Sequence, residues 1–247
     1  MKKFLPFFLF LIGIAVFVGV FIFLKGRGKE EAVVEEETTL REILLDERPV
    51  VSLTPSSDGH WLKLVIEKIV ISADSLDYEL LYKLSDGRTQ GVPGTIKLDG
   101  QKEIERDLLL GSESSGKFRY DEGVENGTLS IRFRDEKGKL IAKFSTEFRL
   151  QSNTKSLSST DGNFIYSLNK SSKAFFVTMQ TFGVPESPPG EFADGPYGVF
   201  SSSEAISPGE IELSSGGVYR WNETEWERLE DLESSDIGIF VATTQSR

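Results

Sequence analysis

Few side chains in this sequence can attack a bond, relay a proton or hold a metal. Its 247 residues contain a single His and no Cys, with 39 Asp+Glu against 28 Lys+Arg. Without Cys there are no disulfides, thiolate nucleophiles, Cys-bound zinc sites or Cys-ligated iron–sulfur clusters. His60 stands beside Trp61, after Asp58-Gly59, at the start of an apolar run. A lone His without identifiable partners builds neither a His-based metal site nor a conventional triad, so a surface or strand-edge role is expected. The segment Gly111-Ser112-Glu113-Ser114-Ser115-Gly116-Lys117 matches G-x-x-x-x-G-K behind Leu108-Leu109-Leu110. A P-loop needs Ser or Thr next and then a helix whose N-terminal amides cradle phosphate. Here Phe118 follows, and residues 118–123 read as strand and turn, so a Gly/Ser-rich β–β loop is expected. Three Ser/Lys pairs (Ser114 and Lys117, Ser152 and Lys155, Ser167 and Lys170) fit S-x-x-K, but the S-D-N and K-T-G elements of that serine chemistry are missing. Acidic residues beside turn formers, as in Asp99-Gly100, Asp121-Glu122 and Asp161-Gly162-Asn163, have oxygens that calcium uses. They lack the D-x-D-x-D-G pattern and are ordinary turn residues. The expectation is a chain with no catalytic site and no cofactor.

Aromatic residues are the better candidates for contact with a ligand or partner. Phe192 and Tyr197 fall in a Pro/Gly-rich segment, residues 183–198, with Pro185, Pro188, Pro189 and Pro196. A long loop of this kind is either a binding loop or an ordered connection packing its aromatics on the domain. Trp221 and Trp226 flank Asn222-Glu223-Thr224-Glu225. If they pair across a hairpin, Arg220 faces Glu227 on the other side, a favourable cross-strand pair. The two Trp rings then either stack on a sugar or peptide, or staple the hairpin and cover a core edge.

These residues need elements to position them. From Phe4 to Leu24 the chain carries no charge over 21 residues, long enough as a helix to span a hydrocarbon core of ~30 Å. A cleaved signal peptide has a shorter apolar region and a small-x-small site, so residues 1–25 are read as an anchor in the bilayer. The short Met1-Lys2-Lys3 start favours an N-terminus inside and a C-terminal region outside the cytoplasm, at the plasma membrane. Residues 26–47 form an acidic linker, with eight acidic residues and one basic in residues 30–47. Thr39 and Glu42 fit a capping box, which predicts one or two helical turns. A net charge of −11 argues against a nucleic-acid partner, and none is expected.

From Pro49 the pattern is all-β, with short alternating runs broken by Gly, Asp, Asn and Ser. Residues 48–151 hold candidate strands at 50–53, 61–71, 76–84, 95–98, 104–110, 128–134 and 140–150. Asp135-Glu136-Lys137-Gly138 joins the last two as a hairpin, with Ile131 and Phe133 on one strand and Ile141, Phe144 and Phe148 on the other. That is the size of an immunoglobulin-like or fibronectin-like sandwich. A polar stretch at 151–162 marks a boundary, and residues 152–247 form a second β-rich unit with strands at 164–168, 174–181, 197–201, 211–213, 218–221, 226–229 and 237–242. One continuous β structure of about 200 residues stays open. The stretches Gly91-Val92-Pro93-Gly94-Thr95-Ile96-Lys97-Leu98 and Leu108 to Gly123 resemble uncharacterised, membrane-anchored bacterial proteins with an immunoglobulin-like exterior domain. The resemblance covers residues 48–151 and implies no activity. The reading is a membrane-anchored extracytoplasmic binding or scaffolding protein of the cell envelope that meets a protein or glycan through loops and a sheet edge. An envelope polysaccharide hydrolase using a carboxylate pair and a structural spacer or assembly subunit are the alternatives.

Overall fold

Period-two alternation of burial shapes many of the described strands, while others are buried on both faces or exposed throughout. In a computed structural model that describes residues 40–213 and 216–244, eighteen strands follow one another: β1 Val50–Pro55, β2 Trp61–Glu67, β3 Ser75–Lys83, β4 Thr89–Lys97, β5 Ile104–Leu109, β6 Gly111–Ser114, β7 Lys117–Tyr120, β8 Asn126–Arg134, β9 Leu140–Gln151, β10 Thr154–Ser158, β11 Phe164–Ser172, β12 Phe176–Gln180, β13 Glu191–Ser201, β14 Gly209–Leu213, β15 Gly217–Trp221, β16 Trp226–Arg228, β17 Glu233–Ser234 and β18 Ile239–Thr244. The apolar run from Phe4 to Leu24 and residues 26–39 of the acidic linker lie outside the described residues. Among those described, no helix is long and apolar enough to cross a membrane.

One nine-stranded antiparallel sheet, ordered β16-β15-β18-β13-β12-β9-β8-β3-β4, runs through most of the chain. A three-stranded sheet, β1-β2-β5, and a four-stranded sheet, β10-β11-β14-β17, pack against it, and β6 and β7 form a separate hairpin. The register shows which face each small sheet covers. Leu76, Leu80 and Tyr82 of β3 share a face with Leu129, Ile131 and Phe133 of β8, and these pack with Leu53, Leu62, Leu64 and Ile66 of the three-stranded sheet in a first core. The same face continues through Phe148 and Leu150 of β9 to their partners Met179 and Val177 in β12. Phe176, one residue out of phase, points to the other side, where Tyr197 and Val199 of β13 and Phe240 of β18 meet Phe164, Tyr166 and Ile211 of the four-stranded sheet in a second core. Two sandwich-like packings thus lie on opposite faces of one sheet. The described residues from Arg41 onward belong to one compact unit, and the sheet crosses position 151 through the β9–β12 pair.

Several elements differ from the periodicity. The capping box at Thr39–Glu42 starts no α-helix in the described residues; a 3₁₀ turn at Leu45–Glu47 stands there instead, too short to bury an apolar face. The strand expected through residue 71 ends at Glu67, because Lys68 turns into the left-handed region at φ 55°. β4 starts at Thr89, well before residue 95, despite Gly91, Pro93 and Gly94. As an edge strand paired only with β3 it tolerates them. Residues 111–117, read as a loop, join residues 118–120, read as strand, in the β6–β7 hairpin around Ser115 (φ 52°) and Gly116 (φ 75°), a tight turn that needs this backbone. The loop expected over residues 183–198 stops short, because β13 begins at Glu191, so Phe192 is a strand residue and Tyr197, expected at the start of a strand, lies inside β13. Ile141 is out of phase with the core: Ala142, Phe144 and Phe148 face it from alternate positions of β9, and Ile141 lies on the other face. At Gly127 a side chain would strike the Leu81 carbonyl and the Phe148 ring, so only glycine lets β8 lie this close.

Because Met179 plugs the first core from a strand whose other face plugs the second, truncation there tests how the two are coupled. Met179→Ala should cost about 2–5 kcal/mol. Hydrogen exchange in β8 and in β14 should accelerate together, whereas acceleration confined to β8 would show that the cores open independently.

Candidate functional site

The three-stranded sheet does not cover the whole face on which it packs. Beyond β12 that face continues across β13, β18 and β15, where Gly198, Ile239 and Trp221 are successive partners. Here a cleft of about 960 Å³ opens. Its floor is the sheet surface carrying Phe200, Trp221 and Ile239, with the Phe200 ring lying against Gly198, where any side chain would displace it. Its opposite wall is the end of the small sheet, at Thr54, Glu67 and Lys68, with Pro185. Glu204, Glu223 and Asp236 stand on the surrounding loops.

Hydrogen bonds hold these walls in place. The Lys68 ammonium donates to the Val184 carbonyl at 2.9 Å, tying the end of β2 to the loop before β13. The Val51 amide donates to the Thr181 carbonyl at 3.1 Å and the Gly183 amide to the Pro49 carbonyl at 3.0 Å, so β1 is attached beside β12. The Trp226 indole N–H donates to the Glu186 carbonyl at 2.9 Å and fixes the same loop from the other side. Asp236 accepts the amides of Ser207 and Ile237, both at 2.8 Å, which shapes the rim between them. Partial burial pushes the Glu67 carboxyl up, and the nearby carboxylates of Glu103 and Glu105 push it further. With Lys68 already engaged, carboxylates dominate the cleft. An aromatic floor with an acidic rim is suited to a ligand with a flat or apolar part and a positive charge.

The four aromatic candidates do not converge. Trp221 and Trp226 are directly paired, with ring centroids 5.4 Å apart and an interplanar angle of 63°, and Arg220 faces Glu227 as the hairpin pattern requires. The Arg220 guanidinium donates to Glu227 at 2.8 Å from a largely buried position. Trp221 lines the cleft, while Trp226 braces the loop beside it. Tyr197 lies on the opposite face, 1% exposed and stacked on Phe164 at 5.1 Å. Its hydroxyl donates to Asp161 at 3.0 Å, at a small cavity of about 250 Å³. Burial first, and then the neighbouring Asp161 carboxylate, push its ionisation up to about 12. Phe192 is exposed but pairs with Thr243, several residues along β18 from Ile239, the partner of Trp221. Glu67, Lys68, Phe200 and Glu204 were missed by sequence reasoning, since only the approach of distant segments makes them neighbours.

The other chemical candidates have structural surroundings. Asp161 accepts from the Ser159 hydroxyl, the Asn163 amide at 3.1 Å, the Asn163 side chain at 3.0 Å and Tyr197, so its carboxylate organises the Asp161-Gly162-Asn163 turn. His60 stacks on Tyr120. Lys117, the last residue of the P-loop-like segment, lies in β7 rather than at a helix. Among the described residues no group of three or more His, Asp or Glu is placed to hold a metal ion.

Burial raises the Asp161 carboxyl, but the hydrogen bonds from Ser159, Asn163 and Tyr197 outweigh it and leave the group below its ordinary 3.8. A carboxyl depressed by folding stabilises the fold above the unfolded value, and that contribution disappears as pH falls through the folded value. Asp161→Asn should therefore lower the melting temperature at pH 7, and the gap from the parent protein should narrow as the pH drops below about 4. A gap that stays constant down to acid pH would show that the charge on Asp161 does not stabilise this turn.

The chain has no match among models of known protein families, curated proteins or solved structures.

Proposed function

We propose that this chain is a membrane-anchored binding protein of the cell envelope, with a cleft that receives a positively charged, extended segment of a partner protein. In this reading residues 4–24 anchor the chain in the plasma membrane, residues 26–47 act as a spacer, and the β region lies outside the cytoplasm. The first packing, with β12-β9-β8-β3-β4 of the long sheet facing β1-β2-β5, is then an immunoglobulin-like or fibronectin-like sandwich. The observation that carries the reading is the cleft at Trp221. Its size suits an extended segment, Phe200 and Trp221 supply apolar contact, and Glu67, Glu204, Glu223 and Asp236 supply negative charge. Function through display rather than catalysis also fits a site whose Lys68 and Asp236 are engaged in holding backbone.

Glu67 favours one second reading, the hydrolysis of an envelope polysaccharide. A carboxyl raised by partial burial beside an aromatic floor has the character of a general acid. That reading requires new reducing ends from the polysaccharide and their loss in Glu67→Gln.

The binding reading is tested in intact cells with a photoreactive residue at position 204, on the cleft rim, or at position 136, in the exposed turn between β8 and β9. A discrete, saturable adduct from position 204 is expected, weakened by Glu223→Lys and absent from position 136. Equal labelling from both positions, or an adduct insensitive to Glu223→Lys, overturns the cleft as the binding site.

A further inference from the structure

The β6–β7 hairpin stands apart from the cleft and from both cores. None of its eight residues is buried, yet it carries two large aromatic rings, Phe118 (46% exposed) and Tyr120 (38% exposed). Residues two apart on a strand share a face, and the two rings are parallel to within 6°, with centroids 6.3 Å apart. His60 stacks behind Tyr120 at 4.2 Å and 10°, and Trp61 meets Phe118 edge-on at 5.6 Å. Four rings from two separate segments thus hold each other in a fixed ladder. Exposing apolar rings to water is unfavourable, and rings held in fixed order at the surface offer a preorganised apolar contact platform.

The surroundings indicate what lies on that platform. His60 also borders a hydrophilic hollow of about 410 Å³, lined by Asp121, Glu122, Glu125, Arg149 and Gln151. Its framework is built: Asp121 accepts the Tyr82 hydroxyl at 2.9 Å, Arg149 donates to Ser158 at 2.7 Å, and Gln151 is bonded to the backbone of Ser156 and Ser158. Glu122 and Glu125 are solvent-facing acceptors beside it. A protein hot spot is a desolvated pocket ringed by contacts that exclude water; this hollow is open and mostly polar, with Val124, Leu150 and Phe175 as its apolar lining. A sugar fits it better, because a pyranose ring has an apolar C–H face to stack on an aromatic ring and a rim of hydroxyls that need planar hydrogen-bonding side chains. The hollow carries four carboxylates, those of Asp58, Asp121, Glu122 and Glu125, against Arg149, a charge balance that repels anionic polymers.

We propose that the Phe118–Tyr120 platform and the hollow beside His60 form a carbohydrate-binding surface for a neutral glycan. This site is independent of the Trp221 cleft and stands or falls without it.

The test is calorimetric titration of the full chain in detergent micelles with a soluble N-acetylglucosamine oligomer, a neutral β-glucan oligomer and a polyuronate. At least one of the two uncharged oligomers should bind at or below about 1 mM and the polyuronate should not. Phe118→Leu keeps apolar bulk but removes the flat face, and should weaken binding about 3- to 10-fold, while Phe118→Tyr should retain it. Both substitutions lie on an exposed strand, and an unchanged melting temperature excludes loss of folding as the cause. No binding of either uncharged oligomer, equal affinity in Phe118→Leu, or preferential binding of the polyuronate each overturns the proposal.

Discussion

The fold depends on a five-residue strand that is buried on both faces. In β12, Val177 and Met179 fill one core and Phe176 the other, and all three are at most 1% exposed. At about 1.5–3 kcal/mol for each large apolar side chain taken fully out of water, these three contribute on the order of 5–9 kcal/mol. That upper estimate is comparable to the whole net stability of a typical domain, about 5–15 kcal/mol. Thr178, between them, is fully buried, and its hydroxyl has no hydrogen-bond partner among the described residues. The strand accepts this unfavourable polar group because neither face is open to water.

A strand with two buried faces forces its sheet to exchange roles along its width. Over β3 and β8 one face is apolar, and the other carries the ion pairs of Arg134 with Asp77 at 2.6 Å and Arg132 with Glu79 at 3.2 Å. Past β12 the second face becomes the apolar one, covered by the four-stranded sheet. The first face is left without a covering layer over β13, β18 and β15, and Phe200, Trp221 and Ile239 lie there. The cleft is thus a consequence of the offset between the two small sheets. Its wall position follows from Lys68, whose left-handed backbone ends β2 and whose ammonium then reaches Val184.

Exposed aromatic rings elsewhere arise differently. Phe118 and Tyr120 belong to a hairpin that joins neither core, and their order comes from ring contacts with His60 and Trp61. The protein therefore offers two chemically distinct surfaces, a recess with an acidic rim and a projecting platform beside a polar hollow. Each is held by a rigid β framework, the arrangement in which binding groups keep their geometry with little ordering cost.

The sequence by itself determined what local rules control. Alternation marked most strands, the Asp135–Gly138 turn set the β8–β9 hairpin, and the four-residue turn after Trp221 set both the Trp221–Trp226 and Arg220–Glu227 pairs. These follow from neighbours in the chain, where spacing dictates register. Grouping Ile141 with Phe144 and Phe148 fails because Ile141 stands an odd number of residues from both and points to the other face, and local rules also miss the early start of β4 and of β13, where Gly and Pro mask strands. They also put Tyr197 with Trp221 as a contact residue, although the two lie on opposite faces of the sheet. Only the tertiary structure decided which core each face meets, where a covering layer stops, and hence that Glu67, Phe200 and Trp221 share a cleft. The physical reason is that period-two patterning says a strand has an inner and an outer side, while the identity of those sides depends on which distant sheet buries them.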